Sequence, residues 1–126
     1  MINKICLVIK NSEGDILVNK SPRTTVWAFP FFYKNDIDFK LINSILDVTN
    51  EYNIENIKAI NYLFETKLKT TGLDSIVTSY YELLAQEKHI TKIYNNYFSL
   101  IKYVSKKRLE VFYNTSPNIS IYLHKT

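Results

Sequence analysis

Only two glycines and three prolines punctuate the 126 residues. Tight turns therefore fall mostly to Asn, Asp and Ser, whose side chains hydrogen-bond their own backbone. A single cysteine, Cys6, excludes an internal disulfide, and its place in an apolar run suits a small packed hydrophobe. No apolar run approaches the roughly 20 residues of a membrane-spanning helix. The opening MINKICLVIK lacks the long apolar region and small-residue cleavage site of a secretory signal, so a cytoplasmic protein with no membrane partner is expected. The net charge of +4 comes from scattered lysines rather than a basic block. That pattern reads as a solvated surface with a weak bias towards anionic partners.

What is present points to a folded domain. Hydrophobic residues make up 46% of the chain and charged ones 22%, which excludes a disordered, highly charged polymer. The length suits one domain over residues 1–126, large enough to bury a core. KICLVIK is a short buried-strand run, NSEGD a turn containing Gly14, and DILVNK a second strand, so residues 4–20 predict a β-hairpin. SPRTTVWAFP, with a proline near each end, reads as an irregular segment crossing the fold. Further on, IKAINYLFETKL and SIVTSYYELLAQ are rich in β-branched and aromatic residues and flank KTTGLD, which predicts an antiparallel pair. YFSLIKYV is another strand. Ser105 suits the N-cap of a helix over KKRLEVFY, and a short C-terminal helix is expected after Pro117.

Between these strands, residues 38–53 have helical periodicity. Leu41, Ile42, Ile45, Val48 and Tyr52 form one apolar stripe, and Asp47, Asn50 and Glu51 lie opposite it. Asp38 precedes the stripe where an N-cap would stand, and Asn53 follows it where a left-handed residue closes a helix. The element order predicts an α+β fold with a mixed β-sheet flanked by helices.

Laid over residues 32–54 without a gap, the box G-x5-E-x7-R-E-U-x-E-E-x-G-U of the Nudix hydrolases, with U a bulky aliphatic, meets Val48, Glu51 and Ile54 as strict matches. Asp38 and Asp47 keep the carboxylate on a shorter stem, while Phe32, Leu46, Asn50 and Asn53 depart. Upstream, V-W-A-F-P resembles the family's approach to its Gly-Gly turn. Downstream, IKYVSKKRL resembles its late strand and short helix. The chain thus resembles the Nudix superfamily over most of its length, with a degenerate box. That resemblance implies a site where carboxylates on one helix hold Mg²⁺ or Mn²⁺, which neutralises a pyrophosphate and activates water.

Carried over residue by residue, the resemblance makes Asp38, Asp47 and Glu51 the metal ligands and Glu51 with Asp47 the catalytic carboxylates. Leu46 removes the family's orienting arginine, Asn50 replaces a carboxylate with an amide, and Phe31 and Phe32 stand where the family has bare glycine backbone. A weak metal site follows. Arg23, in the loop before Trp27, is a candidate phosphate contact. Phe31, Phe32 and Tyr33 are candidates to stack on a base, or core fillers. Solvated charge is the plain alternative for Asp47 and Glu51. Glu82, Gln86 and Glu87 read as loop charges, and His89 and His124 as surface histidines.

Three functions stay open. One is a Nudix-fold protein that binds a nucleoside diphosphate derivative, nucleotide or RNA, with hydrolysis lost or weak. Another is an active, divergent Mg²⁺/Mn²⁺-dependent pyrophosphohydrolase. The third is a non-enzymatic module that binds protein. A nucleotide-type small molecule is the expected partner, with RNA and a second copy of the chain as further candidates.

Overall fold

The β1 strand, Ile2–Lys10, organises everything around it. Its alternating side chains divide between two cores: Ile5, Leu7 and Ile9 enter one, and Val8 the other. In this computed structural model, which describes residues 2–34, 40–54, 56–69, 75–86, 93–94 and 100–126, the sheet has seven strands. They are β1, β2 (Ile16–Lys20), β3 (Phe31–Tyr33), β4 (Ile57–Leu68), β5 (Ile76–Ala85), β6 (Ile93–Tyr94) and β7 (Leu100–Val104). The order is β4-β5-β1-β2-β7-β6, and β3 lies against β1. β1 and β5 run parallel, from Ile2 opposite Ile76 to Lys10 opposite Leu84, and all other pairs are antiparallel. The predicted mixed sheet is therefore present.

The predicted hairpin is β1–β2. Asn11 builds its turn: the buried Oδ1 accepts from the backbone of Glu13 (3.0 Å) and Asp15 (2.9 Å), and Gly14 takes φ +82°. The predicted antiparallel pair is β4–β5, although residues 70–74 between them lie outside the described residues. The crossover from β1 to its parallel neighbour β5 contains α1 (Leu41–Glu51), which covers one face of the sheet. On the other face lie α2 (Lys106–Phe112) and α3 (Pro117–Lys125), with Leu109, Ile119 and Tyr122 buried beside Trp27 and Phe29. Ser105 caps α2 as expected, accepting from the Arg108 N–H at 3.3 Å. Among the described residues no helix is long and apolar enough to cross a membrane.

Several expectations need correction. The helix predicted over 38–53 runs only from Leu41 to Glu51. Its N-cap is Lys40, which makes no side-chain cap bond; Asp38, the expected N-cap, lies outside the described residues. Ile42 does not join the buried stripe and is 49% exposed. The buried side of α1 centres on Ile45, Thr49 and Tyr52, because the Thr49 hydroxyl satisfies itself on the Leu46 carbonyl (2.9 Å) and can turn inward. The C-terminus ends as foreseen. Asn53 takes φ 56°, its N–H meets the Asn50 carbonyl (3.1 Å), and the Ile54 N–H meets that of Thr49 (2.8 Å). This pair of bonds is a Schellman closure, locked by burial of Ile54. Phe31–Tyr33, to which the sequence assigned no element, is a strand. Two-faced pairing with Lys4–Cys6 gives each bulky ring a side to occupy.

Candidate functional site

Asp47 and Glu51 stand one turn apart on α1, and both are exposed, as is Asn50. They lie next to each other on the helix surface. Glu51 also acts on its neighbour: burial, with the Glu51 charge adding to it, pushes the Tyr52 phenol up to about 12. Asp38, the third expected carboxylate, lies outside the described residues. Among the described residues no group of three His, Cys, Asp or Glu side chains comes together to hold a metal. Two exposed carboxylates with an adjacent amide still suit Mg²⁺, which keeps several waters and draws further ligands from substrate phosphates. Leu46, 44% exposed, does not replace an orienting cation. With Ile42 and the first residues of β4 it lines a shallow apolar groove of about 280 Å³.

The two phenylalanines part company. Phe32, opposite Ile5, is half-buried and packs on the core beneath α1. Phe31, opposite Cys6, is 44% exposed and points to the α3 side, where its ring meets that of Tyr33 edge-on at 5.7 Å. Arg23 is exposed in the loop after β2, where its backbone N–H donates to Ser21 Oγ at 3.2 Å. Glu82 is no loop charge. It lies inside β5 and pairs with Lys10 at 3.0 Å. Burial works against the Lys10 ammonium, but hydrogen bonds to Glu82 and Tyr122 carry it above the ordinary lysine value. Gln86 follows β5 and is exposed, and His124 is exposed in the last turn of α3. Glu87 and His89 lie outside the described residues.

On the α3 side, a cavity of about 450 Å³ opens where the aromatic wall of Phe29, Phe31 and Tyr33 faces Lys4, Thr78 and the start of α3. The Lys4 ammonium is held 4.1 Å from the centre of the Phe31 ring. Ser116, the N-cap of α3, makes no cap bond, and its Oγ is buried with no hydrogen-bond partner. Asn118 is gripped from behind: its Oδ1 accepts from the buried Tyr80 hydroxyl at 3.0 Å. Burial, with Cys6 adding and a hydrogen bond from Thr66 opposing, pushes that phenol up to about 12, so it remains a donor. Cys6 is itself inert. Burial raises its thiol to about 11 against the pull of Lys4.

Of this cavity, the sequence pointed to Phe31 and Tyr33 as ring surfaces. Lys4 passed as one surface lysine among many, and Ser116-Pro117-Asn118 was read solely as a helix start.

Comparison with solved structures follows this geometry. The chain has the Nudix fold. It superposes on the Nudix domain of Shewanella oneidensis NrtR, solved with ADP ribose, with a TM-score of 0.68 at 13% identity, over 98% of this chain and 84% of that one. The mutator MutT protein of Bacillus halodurans gives a TM-score of 0.68 at 12% identity, covering 97% and 80%. The C-terminal domain of mouse MUTYH, solved with human PCNA, gives 0.69 at 12%, covering 99% and 86%. No protein-family model matches the sequence. No curated protein matches it either. Such low identities carry the fold and leave the activity to this chain's own residues.

Proposed function

We propose that this protein binds a nucleoside diphosphate derivative in the cavity at the start of α3, with metal-dependent pyrophosphate hydrolysis lost or weak. The cavity carries this reading. At about 450 Å³ it lies in the range of small-molecule sites, apolar and aromatic with a few convergent polar groups. Phe31 and Tyr33 offer ring surface, and Lys4 and Asn118 offer donors. The ADP ribose in the NrtR Nudix domain is a ligand of the same class.

Weak hydrolysis is inferred from α1, whose carboxylates stand on the opposite face of the sheet from a pyrophosphate held in the cavity. Asp47 and Glu51 would hold a Mg²⁺ or Mn²⁺ ion, with the Asn50 amide in place of a third charge. When bound, the ion supplies charge neutralisation to a pyrophosphate and acidity to a water. Leu46 does nothing to orient Glu51, and an amide contributes less to a hard cation than a carboxylate does.

Thermal-shift measurements with ADP-ribose and the nucleoside diphosphates, with and without Mg²⁺, test the proposal. A ligand at a hundred times its Kd stabilises the native state by about 2.7 kcal/mol, which the melting temperature registers. The shift should disappear in Phe31→Ala and persist in Glu51→Gln. The absence of a shift from every ligand in the panel sinks the reading.

A divergent hydrolase is the second reading, favoured by the side-by-side exposure of Asp47 and Glu51 on α1. Phosphate release that is robust in the wild type and vanishes in Glu51→Gln would establish it.

A further inference from the structure

Two lysines share one indole on the α2–α3 side of the sheet. Lys102 lies opposite Val18 and Lys20 opposite Leu100, so the two are diagonal neighbours across β2 and β7, about 7–8 Å apart at the backbone, with both side chains on one face. That face carries Trp27, the only tryptophan of the chain, which stands edge-on to Tyr113 with ring centres 5.7 Å apart. Its backbone is fixed on both sides: the N–H donates to the Asn114 carbonyl at 2.8 Å, and the carbonyl accepts from Ser116 at 2.8 Å. The Lys20 ammonium lies 5.6 Å from the centre of the indole. The Lys102 ammonium lies 4.7 Å from it and 4.3 Å from the centre of the Tyr113 ring. Rings attract a cation without accepting a full hydrogen bond. An ammonium has three donors. Lys20 gives one, at 3.4 Å, to the Thr24 carbonyl, and Lys102 gives one to the Tyr113 hydroxyl. Lys10, on the same face, is met by Glu82 at 3.0 Å, but among the described residues neither Lys20 nor Lys102 has a carboxylate at such a distance. Two like charges are thus held close together, with donors to spare and no counter-ion from the described residues.

We propose that Lys20 and Lys102 clamp a phosphate-type anion beside Trp27, either free or as the phosphate end of a larger ligand. A phosphate carries enough negative charge to answer both cations, and its several oxygens accept charge-assisted hydrogen bonds from two ammoniums at once. A single carboxylate would answer only one of the two charges. The buried indole beneath the pair keeps water from one side, which strengthens the attraction between the anion and both cations. The net charge of +4 draws anions to the surface in general, and this pair gives them a place to stop. None of Lys20, Trp27, Lys102 and Tyr113 lines the cavity at the start of α3, so the clamp stands whether or not a nucleotide binds there.

Trp27 is its own reporter, because both ammoniums lie against its ring and no other tryptophan emits. Its fluorescence, titrated metal-free with sodium pyrophosphate and with sodium chloride at equal ionic strength, should saturate with pyrophosphate alone. Lys20→Met keeps the stem and removes one charge, and should weaken pyrophosphate at least about tenfold, the scale of one hydrogen bond to a charged group. Lys102→Met should do the same, while Lys102→Arg, which keeps a cation over the rings, should stay within about threefold of the wild type. Lys20→Met gives up only one long hydrogen bond, so an unchanged melting temperature in that variant separates a lost charge from a lost fold. Phe31→Ala, in the cavity, should leave the pyrophosphate response as it was. Parallel titrations with ADP and UDP identify the source of the phosphate. Affinity equal to that of pyrophosphate marks a site for the free anion, and binding at least about tenfold tighter that still depends on Lys20 marks the phosphate end of a nucleotide; either result upholds the clamp. A response no larger than that of chloride overturns it, as does one that survives Lys20→Met combined with Lys102→Met. Loss of the pyrophosphate response in Phe31→Ala moves the anion to the cavity and overturns it too. A Lys20-dependent pyrophosphate response without any nucleotide binding sinks the nucleotide reading and leaves the clamp standing.

Discussion

The two faces of the sheet are furnished differently. Under α1 the face is sealed: Ile45, Tyr52 and Ile54 close over Ile5, Leu7 and Ile9, and the charged residues of the helix point to water. Towards α3 the face is sealed only in part. Trp27, Phe29, Ile119 and Tyr122 pack on Val8, Ile16 and Val18, but a cavity remains beyond them, walled by rings and donors. The sealed face bears the carboxylates that resemble a catalytic set. The open face holds the groups that could recognise a ligand. Binding and chemistry would thus depend on separate layers, and one could weaken in sequence while the other kept its shape.

Substitutions on each face test that separation. The largest effect is expected from Phe29→Ala, at about 3–5 kcal/mol of stability, because a buried ring and its edge contact with Tyr122 (5.5 Å) are both lost. Denaturant unfolding should show that cost together with loss of ligand binding, since Phe29 also walls the cavity. On the opposite face Ile45→Ala should cost about 2–4 kcal/mol and leave ligand affinity at saturating native fraction unchanged. Equal loss of affinity in the two variants would mean that the faces are not separable.

Alkaline pH loads the same contrast. Tyr52 on the α1 side and Tyr80 on the α3 side are both raised from 10.0 to about 12, and Cys6, also towards α3, from 9.0 to about 11. Each group ionises first in the unfolded chain. Their contribution is therefore intact below about pH 9 and is lost as the pH climbs to about 12. Stability measured across that window should fall, and Tyr52→Phe should flatten the fall by removing the phenol on the α1 side. A smaller effect is expected at Asn53, where Asn53→Ala places a Cβ with no local hydrogen bonding at φ 56° and should cost about 1 kcal/mol. Least of all, Asp47→Asn with Glu51→Gln should leave the melting temperature in metal-free buffer almost unmoved while abolishing any shift produced by Mn²⁺.

The sequence made the sheet and its helices legible because their signals are local. An unbroken apolar run in β1, a period near four from Leu41 to Tyr52, and capping residues at Ser105 and Asn53 each describe a few neighbouring positions. What it hid was relational. Whether Ile42 is covered depends on where β4 passes, and the strand at Phe31–Tyr33 exists because β1 offers an edge, which no property of FFY announces. The carboxylates on α1 were legible through the resemblance of residues 32–54 to the family's box. The cavity was not, since Lys4, Phe31, Thr78 and Asn118 share no spacing in the chain and meet only through pairing across the sheet.

The parallel pairing of β1 with β5 has a kinetic consequence. More than seventy residues separate Ile2 from its partner Ile76, and that loop must close before the cavity has a floor. Hairpin β1–β2 and helix α1 can form from near neighbours, but long-range closure is slow because its entropy is lost before the contacts repay it. An intermediate holding the hairpin and α1 alone would already display Asp47 and Glu51 while offering a base nothing to enter. Ligand binding, followed in time after dilution from denaturant, would then report the end of folding rather than its beginning.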